Sequence, residues 1–142
     1  MRTARAGVRR VTRRRDELDV SGSREPAGML ALDVLAVLLF AAVGRRSHAE
    51  GVSMVGIADT AWPFLAGTVT GWGVARAWRR PSSSANGVMV WLAAVALGML
   101  LRRLTGEGTA WPFVVVATVV LAALFLGWRA VAHVVRGQGE RP

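Results

Sequence analysis

Four long apolar stretches punctuate this 142-residue chain, and the segments between them hold arginine, glycine, serine and the acids. Within each stretch apolar residues follow one another without the strict alternation that a membrane-barrel strand would show. Continuous runs of this length satisfy their backbone in lipid only as helices. The pattern therefore predicts an all-α integral membrane protein with four transmembrane helices, at about 27–43, 61–78, 84–101 and 110–135. The first run is close to the ~17-residue lower limit for a crossing. The third reaches full length only if the serine-rich segment after Pro81 supplies an extra turn, and the fourth is long enough to tilt.

A repeat is laid over this pattern. Thr60-Ala61-Trp62-Pro63-Phe64 returns as Thr109-Ala110-Trp111-Pro112-Phe113, and Arg45-Arg46 before Glu50-Gly51 returns as Arg102-Arg103 before Glu107-Gly108. Threonine caps helices, proline is tolerated in a first turn, and tryptophan favours the membrane-water boundary, so each pentapeptide is predicted to open a span. Self-similarity of this kind predicts two helix-hairpin repeats. Two spans per repeat make the halves parallel, related by a pseudo-twofold axis along the membrane normal.

Composition agrees with a membrane setting: 53% of residues are hydrophobic, and mean hydropathy is +0.39. The net charge of +9 comes from arginine alone, since the chain has no lysine. The arginines flank the apolar runs, so topology accounts for them before nucleic acid does, and no nucleic-acid partner is expected. With the N-terminus inside, 14 arginines fall on the cytoplasmic side and only Arg45, Arg46, Arg102 and Arg103 outside. Both termini are thus expected in the cytoplasm. Residues 1–28 read as a disordered basic cytoplasmic tail, 29–135 as the four-helix domain, and 136–142 as a short cytoplasmic tail. A signal peptide is the rival reading of the N-terminus, but Gly44-Arg45-Arg46 follows the apolar run where a cleavage site would stand. Translation from Met29 is a further alternative. Absence of cysteine excludes disulfides and thiol chemistry.

Candidate chemistry is sparse. Asp33 is the one acid inside a span, and a buried charge needs a partner or a purpose. Arg76 and Arg129, near the ends of the second and fourth spans, lie at similar depth on the same side, which makes Asp33, Arg76 and Arg129 a candidate intramembrane ion pair. On the outer side Arg45, Arg46, Arg102 and Arg103 join two predicted helix N-termini as a candidate anion or lipid site. Small residues four apart mark candidate packing seams: Gly67 and Gly71, Ala94 and Gly98, Ala123 and Gly127. Ser47, His48, Glu50 and Asp59 share the first outer loop but match no nucleophile or metal motif. No catalytic residue, metal or cofactor is expected.

Asp33, the stretch from Phe40 through Gly44-Arg45-Arg46 to His48, the two pentapeptides, Gly71-Trp72, Gly98-Met99-Leu100-Leu101-Arg102 and Gly127-Trp128-Arg129 together resemble a known family. It is the group of small actinobacterial membrane proteins called domain of unknown function 3054, and the likeness covers about residues 29–135. The resemblance implies a multi-pass plasma-membrane protein and supplies no activity or ligand. The expected function is non-enzymatic: binding of a protein partner or an anionic lipid through the arginine-rich outer face. Expected partners are membrane lipids, another membrane protein, or a second copy as a homodimer. The alternative is a small homodimeric transporter with Asp33 as its coupling carboxylate.

Overall fold

The computed structural model describes residues 3–46 and 53–139. Ser47, His48, Glu50 and Gly51 lie outside them. The described chain is all helical: α1 Thr3–Arg46, α2 Met54–Val74, α3 Ser84–Leu104 and α4 Trp111–Gly139, with one 3-10 turn, Ala77–Arg79, between α2 and α3. Three of the helices contain segments long and apolar enough to cross a membrane, Glu25–Arg46, Ser84–Leu104 and Trp111–Gly137. The protein therefore has the character of a membrane protein.

Two helices differ from the sequence reading at their starts. Helix α1 runs on through Ala27 and Pro26 to Thr3, over residues expected as a disordered tail. Arginine, alanine and leucine around the proline favour helix, and only one interior hydrogen bond is lost to it. Helix α2 begins at Met54 rather than at the pentapeptide, because Ser53 caps it by accepting a hydrogen bond from the Gly56 N–H at 3.1 Å. Thr60 and Pro63 are thus interior to α2, whereas in α4 the pentapeptide does open the helix at Trp111. The second helix also stops short of Trp78. After the C-cap Ala75, Arg76 takes a left-handed conformation (φ 47°, ψ 46°) that turns the chain into the 3-10 segment. Glycine is the usual residue at such a position.

Side-chain contacts define the helix directions. Asp33 of α1 meets Trp72 near the end of α2 and Arg129 towards the end of α4. Phe40, further along α1, meets Phe64 of α2 and Phe113 at the start of α4. Successive helices are therefore antiparallel, and α1 closes the bundle against α4.

Helix α2 is not among the three apolar segments, since Asp59, Thr60, Thr68, Thr70 and four glycines dilute it. It is instead the helix packed between α1 and α3, where slim residues let backbones approach. A Cβ on Gly67 would lie 2.7 Å from the Ala93 carbonyl oxygen and from Ala94 Cα, and one on Gly71 2.8 Å from Val90 Cα. A Cβ on Gly98 of α3 would lie 2.6 Å from the Phe64 ring. The small pair on α4 sits elsewhere: Ala123 is exposed, and nothing lies within 4 Å of a Cβ placed on Gly127. Helix α4 buries Ala117, Leu121, Phe125 and Arg129, a stripe with a four-residue step that turns Ala123 away. Large apolar residues such as Leu35, Leu39, Leu92, Leu100, Val116 and Val131 remain exposed around the bundle, a surface suited to lipid.

Candidate functional site

Helices α1, α2 and α4 meet at Asp33, and α3 approaches its ion-pair partner Arg129. The Asp33 side chain is fully buried, one turn before Val37 and two before Ala41 on the inward stripe of α1. Both carboxylate oxygens accept two hydrogen bonds. Oδ1 takes Trp128 Nε1–H at 2.8 Å and Arg129 Nη1–H at 2.9 Å. Oδ2 takes Trp72 Nε1–H at 2.8 Å and Arg129 Nη2–H at 2.7 Å. The ion pair is thus bidentate, the geometry in which a planar guanidinium matches a carboxylate best.

Arg129 is as enclosed as its partner, 1% exposed. Its Nε–H reaches the Pro81 carbonyl at 3.2 Å, and Nη1–H also reaches the Phe125 carbonyl at 2.8 Å. The guanidinium carbon lies 4.2 Å from the Trp128 ring centroid, within cation-π range. Glycine at position 87 of α3 makes room, because a Cβ there would fall 2.6 Å from Arg129 Cδ. A buried pair offsets its loss of hydration only when its remaining donors and acceptors are also occupied. Here Asp33 has four donors, and Arg129 has two carbonyls besides the carboxylate.

Arg76 does not join them. It is exposed on the left-handed turn after α2, while the next residue, Ala77, is buried in the core. Four contributors to this cluster are not assigned to it by the sequence: Trp72, Trp128, the Pro81 carbonyl and Gly87. A sequence signal existed for the tryptophans, since Gly71-Trp72 and Gly127-Trp128 are the same dipeptide. Trp62, Trp78 and Trp111 are exposed, as belt residues should be, and Trp91 donates to the Thr118 carbonyl at 3.0 Å.

At the opposite end the four outer arginines have different surroundings. Arg102 pairs with Glu107 at 2.5 Å, donates to the Gly108 carbonyl at 3.3 Å, and lies 4.4 Å from the Phe113 ring centroid. Arg45 is half-buried with its guanidinium over Gly56, where a Cβ would collide with it. Arg46 and Arg103 are exposed. Below them Phe40, Phe64 and Phe113 form a cluster with centroids 5.3 to 6.2 Å apart. Phe64 and Phe113 are the last residues of the two pentapeptides. Among the described residues no three His, Asp or Glu side chains gather as a metal site would require.

The model of a family described as protein of unknown function (DUF3054) matches residues 30–132 of the chain. That interval takes in Asp33, Trp72, Gly87 and Arg129, and both pentapeptides. No curated protein and no solved structure matches the chain.

Proposed function

The chain belongs to the DUF3054 family, and we propose that it acts as a non-enzymatic multi-pass protein of the plasma membrane, binding a membrane partner or anionic lipid through its outer face. In this reading α2 is a fourth span. Its 21 residues make a rod of about 31 Å at 1.5 Å per residue, a bilayer's hydrocarbon thickness. The two hairpins are parallel repeats, and both termini are cytoplasmic by the arginine distribution.

One observation carries the non-transporting reading. Asp33, the one buried acid among the described residues, accepts four hydrogen bonds and is paired in bidentate fashion, so no lone pair is held open for a transported proton or cation. A coupling carboxylate needs access and a partner that lets go; Asp33 has an exposure of 0%. The outer face then offers Arg46 and Arg103 as its accessible charges, with Arg102 and Arg45 shaping the rim. The test compares Asp33→Asn with wild type in membranes. Lowered abundance without any proton-linked efflux phenotype is expected, and normal abundance with loss of a proton-dependent flux would favour the transporter. Reporters at residues 55 and 106 should read outside, and those at residue 84 and the C-terminus inside; an inside signal at 106 removes the fourth span.

A further inference from the structure

The end of the bundle that holds Asp33 carries an open groove of about 600 Å³, lined among others by Glu25, Arg79, Arg80, Ser82, Ser83 and His133. Its walls are braced. The buried Pro81 is tied to Arg129 through its carbonyl, and Asn86 Nδ2–H donates to the Arg80 carbonyl at 2.9 Å. Arg136 bridges Glu25 at 2.9 Å and Ser82 Oγ at 3.0 Å, which neutralises the one acid of the lining. Arg79 and Arg80 keep their charge, since among the described residues neither guanidinium has a hydrogen-bond or ion-pair partner. Ser83 makes no side-chain cap on α3, so its hydroxyl is also open to a ligand.

We propose that this groove binds the phosphate of an anionic phospholipid headgroup. Two adjacent guanidinium groups and hydroxyl donors suit a phosphate diester, and arginine matches its oxygens bidentately. Position selects a lipid over a soluble anion. The groove lies at the ends of membrane-length helices, and Trp78, beside Arg79, is exposed as an interfacial anchor would be. This site is at the opposite end of the bundle from the outer arginines, so it stands or falls apart from the reading of that face.

The experiment is hydrogen exchange on the full chain in nanodiscs, following the amides of residues 79–87. Discs of phosphatidylcholine alone are compared with discs containing phosphatidylglycerol. Exchange in this segment should slow by about tenfold with phosphatidylglycerol. The protection should vanish in Arg79→Gln/Arg80→Gln and be reduced but not lost in Arg79→Lys/Arg80→Lys, which keeps the charge without the bidentate fork. Both pairs are exposed and leave the packing untouched, and unchanged exchange over residues 117–129 verifies that the bundle is intact. Equal protection in both discs, or protection indifferent to the glutamine pair, overturns the site. Equal protection in phosphatidylcholine discs on adding inorganic phosphate overturns the assignment to a lipid.

Discussion

Each end of the bundle sets an arginine against an aromatic ring and pairs it with an acid, but the two arrangements differ in kind. Arg129 lies 4.2 Å from Trp128 and Arg102 lies 4.4 Å from Phe113. The Arg129–Asp33 pair has side-chain exposures of 1% and 0%, whereas Arg102–Glu107 has 11% and 30%. Its acid is also far away in sequence at the first end and five residues away at the second. The buried pair therefore joins α4 to α1 and, through Trp72 and Gly87, touches α2 and α3. The half-buried Arg102–Glu107 pair spans only the start of the turn between α3 and α4, with Arg102 also against the Phe113 ring. Burial changes what an ion pair does: in water it is a minor local clasp, and out of water it becomes a condition for assembly.

The comparison is broken most severely by removing one buried charge. Arg129→Gln or Asp33→Asn should each destabilise the protein by about 3–5 kcal/mol, because the survivor is left charged and dry. The double variant should be less damaging than the sum of the two, as neither charge then remains. Thermal unfolding in detergent measures both, and single variants with unshifted midpoints would return the cluster to an incidental contact.

How much of this was open to reading from the residues depends on the kind of information. The apolar runs and the acid set inside one of them are visible because each reports a transfer free energy, which belongs to a residue and its neighbours in sequence. Depth counting placed Arg76 and Arg129 level with Asp33. It could not choose between them, because the choice rests on one left-handed residue that ends α2 at Val74. The start of α2 differs for a similar reason: Thr60, Trp62 and Pro63 look like a helix opening, yet Ser53 is an earlier cap and Met54, Val55 and Ile57 continue the apolar pattern. Trp72 and Trp128 were hidden by ambiguity of the indole, which serves at an interface and as a buried donor alike. The α4 stripe depends on which face tertiary packing selects, and small residues alone do not reveal it.

A sharper version of the comparison removes donors and keeps the ions. Trp72→Phe removes the indole N–H that reaches Asp33 Oδ2 at 2.8 Å, together with part of a buried ring. A hydrogen bond to a charged group is worth about 1.5–3 kcal/mol, and that loss is expected. Trp128→Phe should cost less than Trp72→Phe, since its ring can still stack on Arg129. Equal and negligible effects would mean that the bidentate pair suffices without its indoles.

Between the two ends, close backbone packing can be probed with glycines. Gly67→Ala forces a Cβ against backbone atoms of Ala93 and Ala94, which cannot move aside as a side chain would. Overpacking of this kind costs about 1–3 kcal/mol. Gly127→Ala meets open space and should be neutral or stabilising by about 0.5–1 kcal/mol, the helix preference for alanine. Opposite signs in a melting experiment would confirm that the seam runs along α2 and α3; equal losses would bring α4 into it.

The smallest effect belongs to the partly exposed clasp. Glu107→Gln leaves Arg102 its contact with the Phe113 ring and its bond to the Gly108 carbonyl, and removes only the ion pair. Because Glu107 is 30% exposed, water replaces much of the lost interaction, and a change of about 0.2–1 kcal/mol is expected. Salt separates this clasp from the buried pair more cleanly than its size does. Ions at physiological strength screen over about 8 Å and reach Glu107 but not Asp33, so raised salt should shrink the effect of Glu107→Gln while leaving that of Asp33→Asn unchanged. The measurement is the pair of unfolding midpoints at low and high sodium chloride. Similar salt dependence in both variants would mean that water reaches Asp33, and the distinction between the two ends would fail.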